Sequence, residues 1–478
     1  MSWILLLLAG CQGGSPPLTD AQDSGKDTQR DSGLAGCEGM DIAFAEIVAA
    51  MESEFDLYNV PGGALAIVCD NKLAYEHSWG LAHHEGSDPI TPQTRFQLAS
   101  TTKMFTAATA MHLVEEGLVS LTEPLDTYVP YTNVQDPYDT TITLHQLLSH
   151  TAGYPTYFPG GGFHPDLDEY FRLNSEQPLW STPGAVYNYS NIGMALAGLA
   201  LQEASGTAFA DLVEERIFSP AGMETASMHA EQVEDEGSYA TGHSGSASNP
   251  TLTAPTDSYY ATGYYGPMGG AWGSVEDLAH WGLAHLDSGG EVLSESSFEA
   301  LQTPVSPTRR FPEQGYGYGH FTEGIFGYNM LAHSGSVGGF LTTWMLVPEH
   351  GFGVFAVVNC DWYFPSTIAY TALDEFIGLD FNLGPYASSS ADWPFYVGTY
   401  EDAASLGTVE VRTEDNILYA SFPDLGFESA LSGYYEDTYS FLYAPTGSTQ
   451  MLTFWREEEG ESNAQWLVSL YGVAARIE

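Results

Sequence analysis

Positive charge is scarce in this chain. Its 478 residues include 12 Lys and Arg against 62 Asp and Glu, which gives a formal net charge of −50. Nucleic-acid phosphates and anionic lipid headgroups both attract basic surfaces, so the composition argues against nucleic-acid binding and against electrostatic binding to anionic lipid. The acidity fits a solvated surface that favours solubility, and steering of cationic substrates is the weaker alternative.

Cysteine is also scarce, with copies at Cys11, Cys37, Cys69 and Cys360. If Cys11 carries a lipid, three remain, which is an odd number for an oxidising compartment. The apolar spacing of residues 40–58 predicts an amphipathic helix, and residues 63–69 then predict a buried strand that returns from it. This reversal predicts a Cys37–Cys69 disulfide, which requires Cα atoms within about 7 Å.

The first apolar run, over residues 3–9, is far too short to span a bilayer. Leu8-Ala9-Gly10-Cys11 resembles the lipobox of bacterial lipoproteins, whose cysteine is acylated after cleavage. No Lys or Arg precedes the run, which leaves a secretory peptide cleaved elsewhere, or a wrongly assigned start, as alternatives. We expect a lipoprotein signal over 1–11, a flexible tether over 12–38, and a protein held by lipid on the periplasmic or extracellular face of a bacterial membrane.

The remaining chain predicts two folded units. Residues 39–385 alternate helical and strand patterns, and a Ser/Ala/Pro-rich patch follows. Residues 391–478 show alternating segments separated by turn signals, which predicts a small antiparallel sheet or barrel. The clearest local patterns predict strands over 63–69 and 73–80, a helix from near Ser100, a helix over 275–287 capped by Ser274, a hairpin of 341–347 with 352–359, and a helix over 365–377.

One of the three lysines stands in Ser100-x-x-Lys103, a spacing that puts both side chains on one face of a helix. A serine at a helix N-terminus lies where backbone N–H groups are unpaired and the dipole is positive. A serine hydroxyl needs a base or a polarising cation to become a nucleophile, and a desolvated lysine can supply either. The alternative is an exposed helical pair without function.

Two further motifs offer partners for this pair. Tyr189-x-Asn191 lies in a loop before an apolar helix, and a tyrosine beside a lysine cation can ionise and act as a general base. His333-x-Gly335 opens a predicted strand late in the chain, where the glycine would permit close approach of a substrate to a sheet edge. A near match to the Gly-x-Ser-x-Gly nucleophile motif around Ser244 has serine in its last position and no strand before it.

In this order, the three motifs resemble those of the penicillin-recognising serine hydrolases, and most closely the class C β-lactamase-like branch. That branch includes D-alanyl-D-alanine carboxypeptidases, D-aminopeptidases and esterases. The resemblance covers about residues 41–380 and includes similar landmarks at 95–100, 142–153 and 269–278. It implies an α/β (α+β) fold with an antiparallel sheet flanked by helices and a helical subdomain, followed by a small all-β, lipocalin-like domain.

The resemblance also implies roles for the motif residues. Ser100 would be the acyl-accepting nucleophile, Lys103 its electrostatic and proton-relay partner, and Tyr189 the general base in acylation. Asn191 would position Lys103 and substrate. The backbone N–H groups of Ser100 and Ser336 would form the oxyanion hole.

One motif departs from many relatives, which have lysine where this chain has His333. A lysine is a fixed cation for a substrate carboxylate, whereas a histidine is only partly charged near neutral pH. This weakens the case for an efficient β-lactamase or strict carboxypeptidase. Gly335 and Ser336 complete the implied substrate-binding strand.

These patterns predict a serine hydrolase that acts through an acyl-enzyme on amide, ester or β-lactam bonds of a small-molecule or peptide substrate. The alternative is a sensor lipoprotein that binds penicillin or cell-wall peptides without turnover. We expect no metal and no organic cofactor, and contact with a membrane through the lipid anchor alone.

Overall fold

A computed structural model of the protein provides the structure. It describes the following residues: 41–83, 88–130, 141–158, 164–174, 178–255, 263–287, 290–308, 314–325, 328–377, 390–402, 406–435, 437–443, 448–456, 463–469 and 473–477. The predicted signal, tether, Cys11 and Cys37 lie outside these residues.

The larger unit is built on an antiparallel sheet. Its strands, with those of two separate two-stranded sheets, are β1 (Gly62–Cys69), β2 (Lys72–Gly80), β3 (Phe96–Gln97), β4 (Gly242–Ser244), β5 (Thr251–Thr253), β6 (Trp272–Gly273), β7 (Ser306–Pro307), β8 (Gln314–Tyr316), β9 (Phe321–Ile325), β10 (Tyr328–Val337), β11 (Phe340–Val347) and β12 (Phe352–Val358). The main sheet has the order β2-β1-β12-β11-β10-β9-β8-β7, while β3 pairs with β6 and β4 with β5.

Helices cover both faces of this sheet. The helices of the described residues are α1 (Asp41–Tyr58), α2 (Thr102–Glu115), α3 (Leu144–Leu148), α4 (Leu167–Leu173), α5 (Asn191–Ser205), α6 (Phe209–Val213), α7 (Ala230–Glu236), α8 (Gly266–Gly269), α9 (Val275–Leu286), α10 (Glu295–Gln302), α11 (Ser366–Ile377) and α12 (Trp393–Tyr396), of which α1 and α11 pack on one face of the sheet and α9 on the other. None of these described helices is long and apolar enough to cross a bilayer.

Alternation along the central strands explains the two layers. Every residue of β1 is buried, because successive side chains point to opposite faces and both faces are covered. Leu65 and Ile67 join a cluster with α1 and α11, whereas Ala64 and Ala66 join the larger cluster that contains α2, α5 and α9. The predicted mixed fold, an antiparallel sheet flanked by helices, is confirmed.

The C-terminal strands form a closed antiparallel barrel. They are β13 (Gly398–Asp402), β14 (Gly407–Glu414), β15 (Ile417–Phe422), β16 (Phe427–Tyr435), β17 (Thr438–Tyr443), β18 (Ser448–Trp455), β19 (Trp466–Ser469) and β20 (Val473–Arg476). Closure comes from β13 pairing with β20, Tyr400 opposite Arg476. The sequence predicted either a small antiparallel sheet or a barrel for this unit, and the structure shows a closed barrel.

The barrel has an apolar interior and shares part of its surface with the larger unit. Tyr400, Phe422 and Phe454 belong to the interior cluster. Trp455 and Val473 instead belong to the same buried cluster as the helices of the larger unit. Burial of such side chains contributes about 25 cal/mol per Å² of apolar surface removed from water.

The cysteines are in two states. Cys69, at the end of β1, is disulfide-bonded. Its predicted partner Cys37 lies outside the described residues, so this pairing stays a prediction. Cys360 is a buried free thiol, and burial raises its pKa to about 12, which keeps it protonated.

Candidate active site

The turn before α2 carries the candidate nucleophile. Ser100 lies in a single 3₁₀ turn, Ala99–Thr101, rather than in the first turn of the helix that the sequence predicted from this point. Ala99 has φ of 51°, a left-handed conformation that costs an alanine roughly 1 kcal/mol or more. Thr101 donates its hydroxyl to the Leu98 carbonyl at 2.7 Å and closes the turn. Ser100 itself stays partly exposed in this fixed turn.

Lys103 is fully buried one turn further along the chain. Its Nζ lies 3.1 Å from Ser100 Oγ and donates to the Met268 carbonyl at 2.7 Å. Burial lowers the pKa of this amine well below its usual value, because desolvation penalises the ammonium form. A lysine in this state is uncharged at lower pH than an ordinary lysine, and its lone pair can accept the serine proton.

Tyr189 approaches the same amine from another part of the chain. Lys103 Nζ lies 4.9 Å from the centroid of the Tyr189 ring. Tyr189 comes just before α5, whose N-cap Ser190 accepts a hydrogen bond from the Gly193 N–H. Thr156 donates its hydroxyl to the Tyr189 carbonyl at 2.8 Å and so fixes the loop from outside. The first and second motifs therefore meet at one amine.

Asn191 is buried as the first residue of α5. The partners of Lys103 Nζ are Ser100 and Met268, and no hydrogen bond joins the Asn191 side chain to Lys103 in this part of the described chain. In the structure, the Met268 backbone carbonyl positions Lys103, rather than the Asn191 side chain.

The third motif lies in the second half of β10, which begins at Tyr328, so His333 does not open the strand as the sequence indicated. Pairing of β10 with β9 ends at Ala332, while pairing with β11 continues to Val337. The half that carries Gly335 therefore has one free backbone edge. A Cβ at Gly335 would lie 2.1 Å from the Leu98 carbonyl oxygen. A glycine is needed here because the turn that carries Ser100 approaches β10 this closely. The sequence had instead suggested that the glycine permits close approach of a substrate.

Ser336 is partly exposed on the same half of β10, which pairs with β11 on one edge only. It follows Gly335, which packs against the turn that holds Ser100. The turn that carries Ser100 and the strand that carries Ser336 therefore contact each other at Gly335, and an oxyanion hole made of the two backbone N–H groups requires such an approach.

His333 is buried and neutral. Burial, and next the adjacent Lys103, lower its pKa well below the usual value. Its Nδ1 donates to the Ser334 carbonyl at 2.8 Å, so the unprotonated Nε2 accepts from the Tyr316 hydroxyl at 3.3 Å. Burial raises the pKa of Tyr316 well above its usual value, which keeps this donor protonated. An uncharged imidazole at this position offers no fixed cation to a substrate carboxylate.

Residues missed by the sequence argument complete the site. Met268 contributes only its backbone carbonyl. Every residue has this group, so the sequence could not identify the position. Tyr316 contacts His333, and His150 packs against Tyr189. His150 lies within the landmark at 142–153 that the sequence indicated.

The alternative nucleophile, Ser244, has a different hydrogen-bond partner. Ser244 ends β4 and donates its hydroxyl to Asp361, which also accepts from the Gly245 N–H at 2.9 Å. Its hydroxyl therefore helps to fix a loop, and its partner is a carboxylate rather than the Lys103 amine. Across the described residues, no group of three or more His, Cys, Asp or Glu side chains is placed to hold a metal ion.

Comparison with known proteins places this geometry in a family. The family model described as Beta-lactamase matches residues 46–372. The chain belongs to the Beta-lactamase family. This confirms the resemblance that the three motifs indicated, and the matched range contains the motifs and the whole main sheet.

Two named proteins are similar to this chain over much of its length. The unguisins hydrolase ungD′ of Aspergillus campestris is 28% identical over 400 residues, 80% of this chain and 72% of its own length. The D-aminopeptidase of Gluconobacter oxydans is 27% identical over 324 residues, 66% of this chain and 59% of its own length. The chain thus matches less than two thirds of the D-aminopeptidase.

A solved structure with a similar fold is the octameric penicillin-binding protein homologue from Pyrococcus abyssi. It is 24% identical, with a TM-score of 0.65, and the match covers 91% of this chain and all of the other. At this identity the likeness establishes the fold alone. It includes the C-terminal unit as well as the β-lactamase-like one.

Proposed function

We propose that the protein is a serine hydrolase that acts through an acyl-enzyme on Ser100. The observation that carries the proposal is the 3.1 Å contact between Ser100 Oγ and the fully buried Lys103 amine, whose pKa is lowered. A serine hydroxyl becomes nucleophilic when a base within hydrogen-bond reach can take its proton. Membership of the Beta-lactamase family and the hydrolase and aminopeptidase names of relatives support the same reaction class.

In the proposed reaction, Ser100 Oγ bonds to the carbonyl carbon of the substrate while its proton passes to the Lys103–Tyr189 pair. The oxyanion accepts hydrogen bonds from the Ser100 and Ser336 backbone N–H groups. The leaving amine or alcohol takes the proton from the pair as the carbonyl–heteroatom bond breaks. Water then attacks the acyl-enzyme, the pair accepts its proton, and Ser100 returns to the hydroxyl form with release of the acid.

The proposed substrates are esters, amides and small peptides without a carboxylate next to the scissile bond. The supporting observation is that burial keeps His333 uncharged, so a carboxylate there would be desolvated without a cation partner. β-Lactams remain within the reaction class but carry such a carboxylate, and we expect them to react slowly. The D-aminopeptidase name among relatives supports D-amino-acid amides as the first peptide substrates to test.

Labelling and turnover test this proposal together. A fluorophosphonate should label the wild type and Ser244→Ala equally, and Ser100→Ala should not be labelled while keeping its melting temperature. p-Nitrophenyl esters, D- and L-amino-acid amides and a chromogenic cephalosporin then rank the substrates. Equal labelling of folded Ser100→Ala would show that the nucleophile assignment is wrong.

The non-hydrolytic sensor is the second outcome of this experiment. Intact-protein mass spectrometry would detect an acyl adduct on Ser100 with each substrate. An adduct that forms and disappears at the rate of product release supports the hydrolase. An adduct that persists for hours with every substrate would instead support a binding protein.

We also propose that the protein is a lipoprotein of the cell envelope, anchored through Cys11. The support is the Leu8-Ala9-Gly10-Cys11 sequence and the polar residues that follow it. An alkyne-labelled fatty acid should be incorporated into the wild type expressed in bacteria and not into Cys11→Ser. Incorporation into both would contradict the anchor.

A further inference from the structure

We propose that His150 is a positioning residue that holds Tyr189 against Lys103, and that it does so only as a neutral imidazole. This inference rests on the proposed function, because it assigns a role in the same acylation site. His150 lies two residues after α3 and is buried, with a relative exposure of 1%. Its ring packs against Tyr189, so it would act on the reaction through the base.

Backbone hydrogen bonds bracket Tyr189. The Asn188 N–H donates to the His150 carbonyl at 2.8 Å, and the Ser190 N–H donates to His150 Nδ1 at 3.0 Å. The residues on both sides of Tyr189 are therefore held by one histidine. This arrangement fixes the position of the Tyr189 Cα and the direction in which its side chain leaves the loop.

Ring contacts add a third constraint. The His150 ring centroid lies 4.4 Å from that of Tyr189 and 4.6 Å from that of Tyr316. Tyr316 in turn reaches His333 through its hydroxyl. His150 consequently packs between the loop of the base and the residue that contacts the third motif, so a displacement of its ring would move both.

The backbone of His150 is held in an unfavourable conformation. Its φ is 58°, in the left-handed region that few residues other than glycine and asparagine adopt without cost. Such strain persists only where the surroundings enforce it, and it is common at functional sites. Here it turns the chain after α3 so that the carbonyl and the ring of one residue both face the Tyr189 loop.

The hydrogen bond from Ser190 fixes the tautomer. A backbone N–H can only donate, so Nδ1 must be unprotonated and the ring proton must reside on Nε2. An imidazolium carries N–H on both nitrogens and would face the Ser190 N–H with a second donor. Among the described residues, the titratable groups that pack against the His150 ring are Tyr187 and Tyr189, from the loop before α5, and Tyr316 from β8. Lys103 lies beyond Tyr189, and His333 lies beyond Tyr316. Protonation of His150 would thus release the loop and withdraw Tyr189 from the amine.

Two substitutions separate positioning from simple packing. Asparagine keeps an acceptor oxygen near the place of Nδ1, tolerates positive φ and does not titrate. Leucine has a similar volume but no acceptor. We expect His150→Leu to lower kcat about 10- to 100-fold with KM changed less than about threefold, because a small misplacement of a catalytic group has this effect. We expect His150→Asn to recover kcat to within about tenfold of wild type.

The pH profile gives a readout that packing alone would not move. In the wild type, kcat should fall with decreasing pH as His150 becomes protonated, in addition to the protonation of Lys103. In His150→Asn, that fall should begin at lower pH, because the acceptor can no longer be protonated. Equal acid limbs in wild type and His150→Asn, with both proteins folded, would overturn the proposal.

A spectroscopic measurement keeps the test independent of turnover. In protein labelled with ¹³C at tyrosine Cζ, the Tyr189 signal is assigned by its loss in Tyr189→Phe. We expect the titration of this signal to shift in His150→Leu and to return toward the wild-type midpoint in His150→Asn. An unchanged Tyr189 titration in folded His150→Leu would overturn the positioning role, whereas labelling of Ser100→Ala by fluorophosphonate would overturn the proposed function instead.

Discussion

At the scale of single residues, Lys103 shows how burial can prepare a group for chemistry. The amine has no carboxylate partner among the groups that set its pKa, and desolvation alone lowers that pKa. Its hydrogen-bond partners are a hydroxyl and a carbonyl, which accept from an amine whether or not it is charged. The site therefore favours the neutral base over a permanent cation.

A dependence on pH follows from this shift. The neutral amine is the active form, so kcat/KM should rise with pH through the lowered pKa of Lys103 and fall as pH drops below it. The rise of kcat/KM should occur at lower pH than the range in which an ordinary lysine titrates. Initial rates with an uncharged p-nitrophenyl ester across pH 4 to 10, corrected for unfolding, provide the measurement.

Lys103→Arg is the control for this dependence. A guanidinium stays charged at every accessible pH and cannot take the Ser100 proton. We expect this variant to lose labelling and turnover at all pH values. A folded Lys103→Arg with a wild-type profile would contradict the role of the neutral amine.

At the scale of secondary-structure elements, the site depends on how closely β10 approaches the turn before α2. Gly335, in the half of β10 that pairs only with β11, packs directly against the Leu98 backbone. The turn is thus held between this strand and α8, whose Met268 carbonyl accepts from Lys103. Three elements far apart in sequence define one short gap.

Gly335→Ala should disrupt this contact. The added methyl group would meet a backbone carbonyl at 2.1 Å, and the turn with Ser100 would have to move away from β10. We expect kcat/KM to fall by about 100-fold or more, with the melting temperature lowered by a few degrees for a loss of about 1–3 kcal/mol. The matched control is Gly338→Ala at the end of the same strand, where the nearest atom would lie at an ordinary 3.6 Å. Equal activity of both variants would contradict the argument.

Elements with a local signal were predictable from the sequence. Helix α1 spans Asp41–Tyr58 where the sequence predicted 40–58, and α9 starts directly after Ser274, whose hydroxyl accepts from the Asp277 N–H as an N-cap does. Both rest on patterns that extend over a few residues. The start of β10 was predicted too late, since the apolar residues before His333 gave no period that separates strand from loop.

The details of the site were predictable only in part. Residue type pointed to Ser100, Lys103 and Tyr189, and the structure brings them together. The positive φ of Ala99 and the Met268 carbonyl depend on contacts across the fold and carry no residue-type signal. The same holds for His150, whose Nδ1 accepts from a residue forty positions later.

At the scale of the whole molecule, the barrel depends on one buried ion pair. Arg456 donates to Asp437 through Nε at 3.1 Å and Nη2 at 2.5 Å, and the Tyr396 hydroxyl donates to the same carboxylate. Neighbouring Trp455 belongs to the cluster shared with the larger unit. The pair therefore fixes the strand end through which the barrel meets that unit.

Removing the cation alone should be costly. In Arg456→Met, the Asp437 carboxylate stays buried without its partner, and we expect a loss of about 3–5 kcal/mol in the stability of the barrel. Arg412→Met is the control, because its partners are exposed and such pairs contribute only about 0–1 kcal/mol. Urea unfolding followed by tryptophan fluorescence measures both. Equal small losses would show that the pair is solvated.

Buried histidines make the larger unit sensitive to acid. The rings of His285 and His320 pack edge to face with centroids 4.8 Å apart. Burial lowers the pKa of His320 to about 4 and that of His285 well below its usual value. Between these values and the unfolded value of about 6.5, the unfolded chain binds more protons, so stability decreases as pH falls. Each group contributes a slope of about 1.4 kcal/mol per pH unit in that window.

Replacing one of them should reduce this slope. We expect His320→Gln to show a smaller loss of urea midpoint between pH 7 and pH 5 than wild type. Exposed His229 supplies the control His229→Gln, which should keep the wild-type slope. If the urea midpoint depended on pH equally in all three proteins, His320 would not be a buried, neutral group in the folded state.

The order of strands has a consequence for biosynthesis. Strand β1 pairs on one side with its neighbour β2 and on the other with β12, close to the end of the larger unit. A nascent chain carries the β1–β2 hairpin long before Phe352–Val358 leaves the ribosome, and until then the outer backbone edge of β1 is open and apolar. A polypeptide truncated anywhere before β12 would keep this edge open and would be a substrate for chaperones and proteases, because almost the entire unit must be synthesised before its sheet can close.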